Sequence, residues 1–360
     1  MVAIHMLRHP MSLATVSRGR DNNFNLLRFG AASAVILSHS VLLSGNLHSS
    51  IAWALGYLAV NCFFIISGFL VCRSLTLRND LRHYFIARCL RIYPALGVTV
   101  LLCVLVSATT LSELGFSDFF GESQTWRFLF NNSLLVVGQV EVYLPGMFTT
   151  NPVPGQVNAP LWTLQYEVLM YCWLAAIYLL GRFTTSLIAG AISTFLIITL
   201  AVASMTIYLT NISQPQPDTS IAANLVRFAA MFFTGAGFYL LRNLVRLSTL
   251  IVALLSILII VSYGIRPLFI TLTYLSLAYL LLYLAYVPSG RIRLFNRLGD
   301  YSYGLYIFGY PIQQTLVYTW PNIGPAALFV LSLLLALFFA VVSWHLVEKP
   351  FLSMKPGLPQ

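Results

Sequence analysis

A chain of 360 residues that is 59% hydrophobic and only 8% charged cannot cover its surface with polar groups in water, since soluble domains carry about 25% charged residues. That excludes a soluble globular domain and makes lipid the solvent. The 20 Lys and Arg outnumber the 10 Asp and Glu, for a net charge of +10, but no basic stretch is both polar and long; the surplus points to basic cytoplasmic loops, and no nucleic acid is expected as a partner.

The expected fold class is an all-α polytopic membrane protein. A bilayer core takes about 20 apolar residues per helix. On that measure crossings are predicted at 24–44, 52–74, 83–107, 159–181, 184–209, 221–242, 247–264, 267–287, 300–320 and 323–349, ten in all. Residues 1–23 are mixed in character and the first apolar run is long enough to span, so it reads as a mature helix rather than a cleaved signal. This gives an N-terminal tail over 1–23, a membrane domain over 24–352 and a C-terminal tail over 353–360. The apolar stretch from Phe128 to Val137 is too short to span and is expected to be re-entrant or interfacial.

Charge then orients the bundle. With both ends in the cytoplasm, 17 of the 20 basic residues fall inside, and only Arg127, Arg227 and Arg266 fall in the outer half. The opposite orientation reverses the tally, against the positive-inside rule. The long segment 108–158 is then external, carries Glu113, Asp118, Glu122 and Glu141, and is broken by prolines at 145, 152 and 154. A loop of that length is usually functional or disordered. Trp126, Phe128 and Phe130 predict that it partly packs on the membrane. The five cysteines form no C-x-x-C pair and lie in or beside apolar segments, so neither a disulfide framework nor a metal site is expected.

Ionisable side chains within a span are costly, and each is a candidate for function. His39 lies in the outer half of the first helix and Arg28 begins that helix; 11 residues separate them, close to three full turns, so both point to nearly the same side. The axial rise is roughly 16 Å at 1.5 Å per residue, comparable with an extended pantetheine arm. A histidine in a membrane helix is nonetheless about as often a structural hydrogen-bonding residue as a catalytic one. Glu167 sits at a similar depth, near the start of the fourth crossing. It can orient an imidazole, or serve as the buried partner of an arginine such as Arg227. Arg88 and Arg91, three residues apart and so on one helix face, form a fork suited to phosphate oxygens, although on these residues alone positive-inside anchoring is the stronger reading.

Together these segments resemble the acyltransferase-3 family of bacterial membrane enzymes, over roughly 24–352. Arg28 to His39 resembles the family's Arg-x10-His signature. The run Phe63-Phe-Ile-Ile-Ser-Gly-Phe69 is similar to its second-helix motif, and Arg88-x-x-Arg91-Ile-Tyr-Pro94 to its cytoplasmic Arg-x-x-Arg motif. Leu161-Trp-Thr-Leu-x-x-Glu167, Tyr301-Ser-Tyr-Gly-Leu-Tyr306 with Pro311, and Val347-Glu-Lys-Pro-Phe351 resemble the remaining blocks. The order of the motifs carries more weight than any one of them. Asn61, where many members have an acid, and Gly309-Tyr310, where many have a His–Trp pair, depart from the pattern. Leu-Trp-Thr-Leu-x-Tyr-Glu, with Gln313 and Gln314 after the proline, is closer to the exopolysaccharide-modifying branch.

The resemblance implies a multi-pass enzyme of the bacterial inner membrane. It implies transfer of an acyl group, usually acetyl, from cytoplasmic acyl-CoA as co-substrate to a hydroxyl of a surface or exported carbohydrate, lipid-linked or free. Carried over, His39 is the catalytic histidine with Arg28 as its partner, Glu167 the family's acidic residue, and Arg88, Arg91 and Arg28 the donor-binding residues. The rivals are a secondary transporter and a glycan flippase. A transporter typically pairs broken helices in two related halves, and no such pairing is visible.

Overall fold

The computed structural model describes residues 11–19, 21–182, 186–211 and 220–355. Residues 1–10 and 20 of the predicted N-terminal tail, with Arg8 and Arg20, and 356–360 of the C-terminal one lie outside the described residues, as do 183–185, where the fifth crossing is expected to begin. Most of the described residues are helical. The helices are α1 (Phe24–Leu43), α2 (Ser50–Arg78), α3 (Leu81–Val106), α4 (Phe116–Gly121), α5 (Ser123–Leu134), α6 (Leu164–Arg182), α7 (Ser186–Asn211), α8 (Ile221–Leu240), α9 (Thr249–Val261), α10 (Arg266–Tyr286), α11 (Ser302–Thr319), α12 (Pro325–Ser343) and α13 (Lys349–Ser353).

Among the described residues, eight helices are long and apolar enough to cross a membrane, two fewer than the ten predicted crossings. The other two segments are present as helices. The Thr249–Gly264 segment is shorter than the rest. In α11 five polar residues (Ser302, Thr315, Thr319, Gln313 and Gln314) and four tyrosines lower the mean hydropathy. The segment 108–158 is folded: α4 and α5 lie in it, and α5 covers most of the short apolar stretch. Of its three membrane-packing candidates, Phe128 is fully buried while Trp126 and Phe130 are exposed.

The residues form two compact units. One comprises the chain up to Arg28, Asn61–Asn79 and Met170–Leu298; the other comprises Phe29–Val60, Asp80–Leu169 and the chain from Gly299. In the first unit a two-residue ladder pairs Met11 with Leu247 and Ser12 with Arg246. Its core is set by two glycines. A Cβ on Gly68 would stand 1.9 Å from the carbonyl oxygen of Phe232, and one on Gly235 would stand 2.1 Å from that of Ile65. In lipid, helices gain by such close backbone approach rather than by the hydrophobic effect. This is what the Ser-Gly-Phe of the α2 motif does: Phe69 then packs on Phe24, Tyr239 and Tyr286. The buried Arg227 Nε donates to Asn61 Oδ1 at 2.9 Å, so the amide at the position where an acid is commoner serves as its partner.

Gly68→Ala is expected to abolish the monodisperse folded protein. Overpacking costs typically 1–3 kcal/mol, and here the obstacle is backbone that cannot rotate away. Gly237→Ala, with nothing within 4 Å of the added carbon, serves as the control and should behave as wild type on size-exclusion chromatography. A well-folded Gly68→Ala protein would refute the close-approach account.

In the second unit α11 packs tightly on α12. A Cβ on Gly304 would lie 2.6 Å from Ala340 Cα, and one on Gly299 would strike the Trp344 ring. Ser38 donates to the Ala52 carbonyl at 2.7 Å, joining α1 to α2. Leu43, Tyr310, Leu316, Val317 and Leu328 form a buried apolar cluster at one end.

Candidate functional site

The site in the second unit is built on α1 and α11. Residues Ile36, His39 and Ser40 share one face of α1, three and four positions apart. Gly309 lets α11 approach that face, for a Cβ there would lie 2.9 Å from Ile36 Cγ1. The buried Gln313 then donates through Nε2 to both the Ile36 carbonyl and Ser40 Oγ, each at 2.7 Å. Between these contacts the half-buried imidazole of His39 meets the ring of Tyr310 edge-on, with centroids 5.0 Å apart and planes at 89°.

Tyr310 is itself anchored. Its hydroxyl donates to Gln156 Oε1. Gln314 Nε2, one residue beyond Gln313, donates to the Val153 and Gln156 carbonyls at 2.9 and 2.7 Å, and Asn151 Nδ2 donates to Gln314 Oε1 at 2.8 Å. The end of the long loop is therefore stapled to the helix that faces His39. Pro311 lies within α11 and has no N–H, so the Ile307 carbonyl loses its helical donor. Asn158 Nδ2, fully buried, supplies the missing bond at 2.9 Å. An unsatisfied carbonyl would be costly in lipid.

Glu167 opens α6, where Thr163 of the preceding turn shares a 2.6 Å hydrogen bond with the Tyr306 hydroxyl. Glu167 is half-buried and adds a longer-range attraction to the Arg91 guanidinium. Arg91 is held at close range by two other acids. Its Nη2 lies 2.6 Å from Asp300 Oδ2 and its Nη1 lies 3.0 Å from Glu348 Oε2, with the guanidinium 5.5 Å from the Tyr303 ring centroid. Tyr303 in turn donates to the Ile92 carbonyl at 2.9 Å. Glu348 reaches this cluster from a π-helical turn, Trp344–Glu348, that follows α12. Arg88, one turn before Arg91 on α3, is half-buried. Arg28 belongs to the other unit, where its Nη2 donates to Asn25 Oδ1 at 2.7 Å.

Of the five candidates, then, the structure brings Arg91 and Glu167 into one electrostatic cluster and gives His39 a ring contact with Tyr310. Sequence reasoning missed Asp300, Glu348, Gln156 and the role of Tyr310. A signal existed for Glu348: an acid beside an apolar span has to find a cation. No such signal existed for Tyr310, since a tyrosine in a membrane helix carries little cost. Among the described residues, no three His, Cys, Asp or Glu are grouped to hold a metal.

Comparison with known proteins places these motifs. The acyltransferase-3 family model, described as an acyltransferase domain, matches residues 21–345. An O-acetyl transferase of Shigella phage Sf6 is 27% identical over 343 residues, covering 93% of this chain and 97% of that protein. Nodulation protein 10 of Rhizobium leguminosarum bv. viciae is 32% identical over 169 residues, 43% of each chain. No solved structure matches the chain. A match over nearly the whole membrane region, with the motif order intact, makes this multi-pass membrane chain a member of the acyltransferase-3 family.

Proposed function

We propose that the enzyme transfers an acetyl group from cytoplasmic acetyl-CoA to a hydroxyl of a carbohydrate destined for the surface of a bacterium, at its inner membrane. The observation that carries this reading is His39, an ionisable and half-buried imidazole in an apolar span, braced by Tyr310 and on the same helix as Arg28. Histidine is the side chain whose ordinary pKa suits proton transfer near neutrality.

In this reading the acceptor hydroxyl gives its proton to His39 as its oxygen bonds to the thioester carbonyl carbon. The carbon–sulfur bond then breaks and the proton passes to the departing thiolate. A relay in which His39 is first acylated and then attacked by the hydroxyl satisfies the same residues. Glu167, the family's acidic residue, serves to orient the imidazole. The donor's phosphates lie on Arg88. Arg91, expected to share that task, has both ends of its fork engaged by Asp300 and Glu348, and its part is to brace that cluster one turn from Arg88.

Two experiments test the reading. Arg88→Ala should insert normally and weaken acetyl-CoA binding by roughly 1.5–3 kcal/mol, the worth of a charge-assisted hydrogen bond. Unchanged affinity in calorimetry on the purified protein would leave Arg88 as a topological anchor only. The reading also has the donor and the loop on opposite sides of the membrane, with both termini cytoplasmic, as the charge distribution predicts. Introduced on a cysteine-free background in intact cells, Ser117→Cys should react with an impermeant maleimide and Arg82→Cys should not. The reverse pattern sinks the orientation.

A further inference from the structure

The segment 143–155 of the long loop forms a cup of about 460 Å³, within the range of about 300–1,000 Å³ common for small-molecule sites. Its floor is the buried pair Leu144 and Met147. Its rim carries the Tyr143 ring, the Gln124 amide and the Thr149 hydroxyl. The Tyr143 ring packs over Gly155, where a Cβ would lie 3.4 Å from Cδ1, and is 42% exposed, so part of the ring is open to the solvent.

The cup is preformed. Gly146 and Gly155 turn its walls at φ of +64° and +73°. At Gly146 a Cβ would also lie 2.8 Å from Ser112 Oγ. Backbone bonds from Gly155 N to the Met147 carbonyl, from Leu144 N to the Gly155 carbonyl and from Glu113 N to the Gly146 carbonyl, at 3.0, 3.2 and 3.0 Å, fix the shape. Little ordering cost remains for a ligand.

The chemistry of the rim narrows the occupant. An open aromatic face with an amide and a hydroxyl beside it suits the apolar C–H face and equatorial hydroxyls of a sugar ring. No charged side chain lines the cup, and the Thr149 hydroxyl at its rim donates to the Glu113 carboxylate. An anionic sugar would meet the Glu113 carboxylate and find no cation among the lining residues. The cup is also coupled to the reacting histidine. Tyr143 bridges Gln156 through the backbone, Gln156 holds Tyr310, and Tyr310 abuts His39. We propose that this cup is the subsite for one neutral sugar ring of the acceptor glycan, which holds the chain while a neighbouring hydroxyl is acylated. The proposal rests on the acyl-transfer reading above.

The test uses the full-length protein in nanodiscs, saturation-transfer NMR, and a panel of neutral disaccharides containing glucose, galactose or rhamnose, with a glucuronate disaccharide as the anionic probe. At least one neutral disaccharide should receive saturation. Its affinity should fall about tenfold in Tyr143→Ala, equivalent to about 1.4 kcal/mol, and be retained in Tyr143→Phe and His39→Ala. Absence of binding across the neutral panel, equal binding by Tyr143→Ala, or preference for the glucuronate probe would each overturn the subsite. The two readings fail separately. If disaccharides bind as expected but His39→Ala still transfers acyl groups, the histidine mechanism falls and the sugar subsite stands. If transfer depends on His39 but no neutral sugar touches the cup, the subsite falls alone.

Discussion

His39→Ala is expected to insert, melt and bind acyl donor like the wild type while losing transfer by on the order of 10²–10⁴-fold, the usual worth of a general acid–base residue. The packing makes this outcome distinguishable from structural damage. The α1–α11 contact is carried by Gly309 against Ile36 and by the two Gln313 hydrogen bonds, none of which involves the imidazole. Removing the ring forfeits one edge-on aromatic contact, worth about 0.5–1.5 kcal/mol. A histidine that merely joined helices would behave otherwise: melting temperature and expression would fall, and activity only in proportion. The decisive measurement is acyl transfer per folded molecule, in membranes matched for protein level. Glu167→Gln should show a smaller loss than His39→Ala, because it removes an orienting group and not the proton acceptor. Substantial transfer by folded His39→Ala protein would exclude it from the chemistry.

Arg91→Ala should produce a large effect of a different kind, a loss of stability. Its removal strands two carboxylates, of which Glu348 is 1% and Asp300 11% exposed. Deleting one partner of a buried ion pair costs about 3–5 kcal/mol, chiefly as uncompensated charge. The charges should therefore show in a cycle. Combining Arg91→Ala with Asp300→Asn and Glu348→Gln should recover much of the lost thermal stability, although it restores no contact with the guanidinium. Tryptophan-fluorescence melting of the detergent-purified variants reads this directly. An Arg91→Ala protein that melts like the wild type but no longer binds acetyl-CoA would return Arg91 to the donor site.

The helices were legible because lipid is a severe solvent. A span must be long, apolar and internally hydrogen-bonded, and each of the ten apolar segments is a helix within a few residues of its expected bounds. Two of the ten segments stand apart where apolarity and length part company: Thr249–Gly264 is apolar but short, and α11 is long enough but carries tyrosines and glutamines facing the loop. His39 was visible as a titratable group in an apolar run. Its surroundings were not, because Tyr310, Gln156 and Gln313 are ordinary residues made significant by packing. Arg91 looked like a phosphate fork because its neighbours in sequence are apolar. The acids that claim it stand 209 and 257 residues further on, beyond the reach of any local pattern. The Ser-Gly-Phe motif of α2 was recognisable as a pattern, whereas its cause, a carbonyl 1.9 Å from where a Cβ would be, belongs to three dimensions.

The bond from Asn158 to the carbonyl freed by Pro311 also has a consequence for how the protein is made. Asn158 leaves the ribosome 149 residues ahead of Ile307. The loop is therefore already synthesised when the proline-broken helix reaches the translocon, and a ready donor receives it as it enters lipid. Until that helix arrives, Gln156 lacks Tyr310, His39 lacks its neighbouring ring, and the nascent chain has no assembled site. A chain truncated before α11 would leave the amides of Asn151 and Asn158 on its loop without their partners on that helix. The candidate site around His39 thus assembles only once α11 has been made.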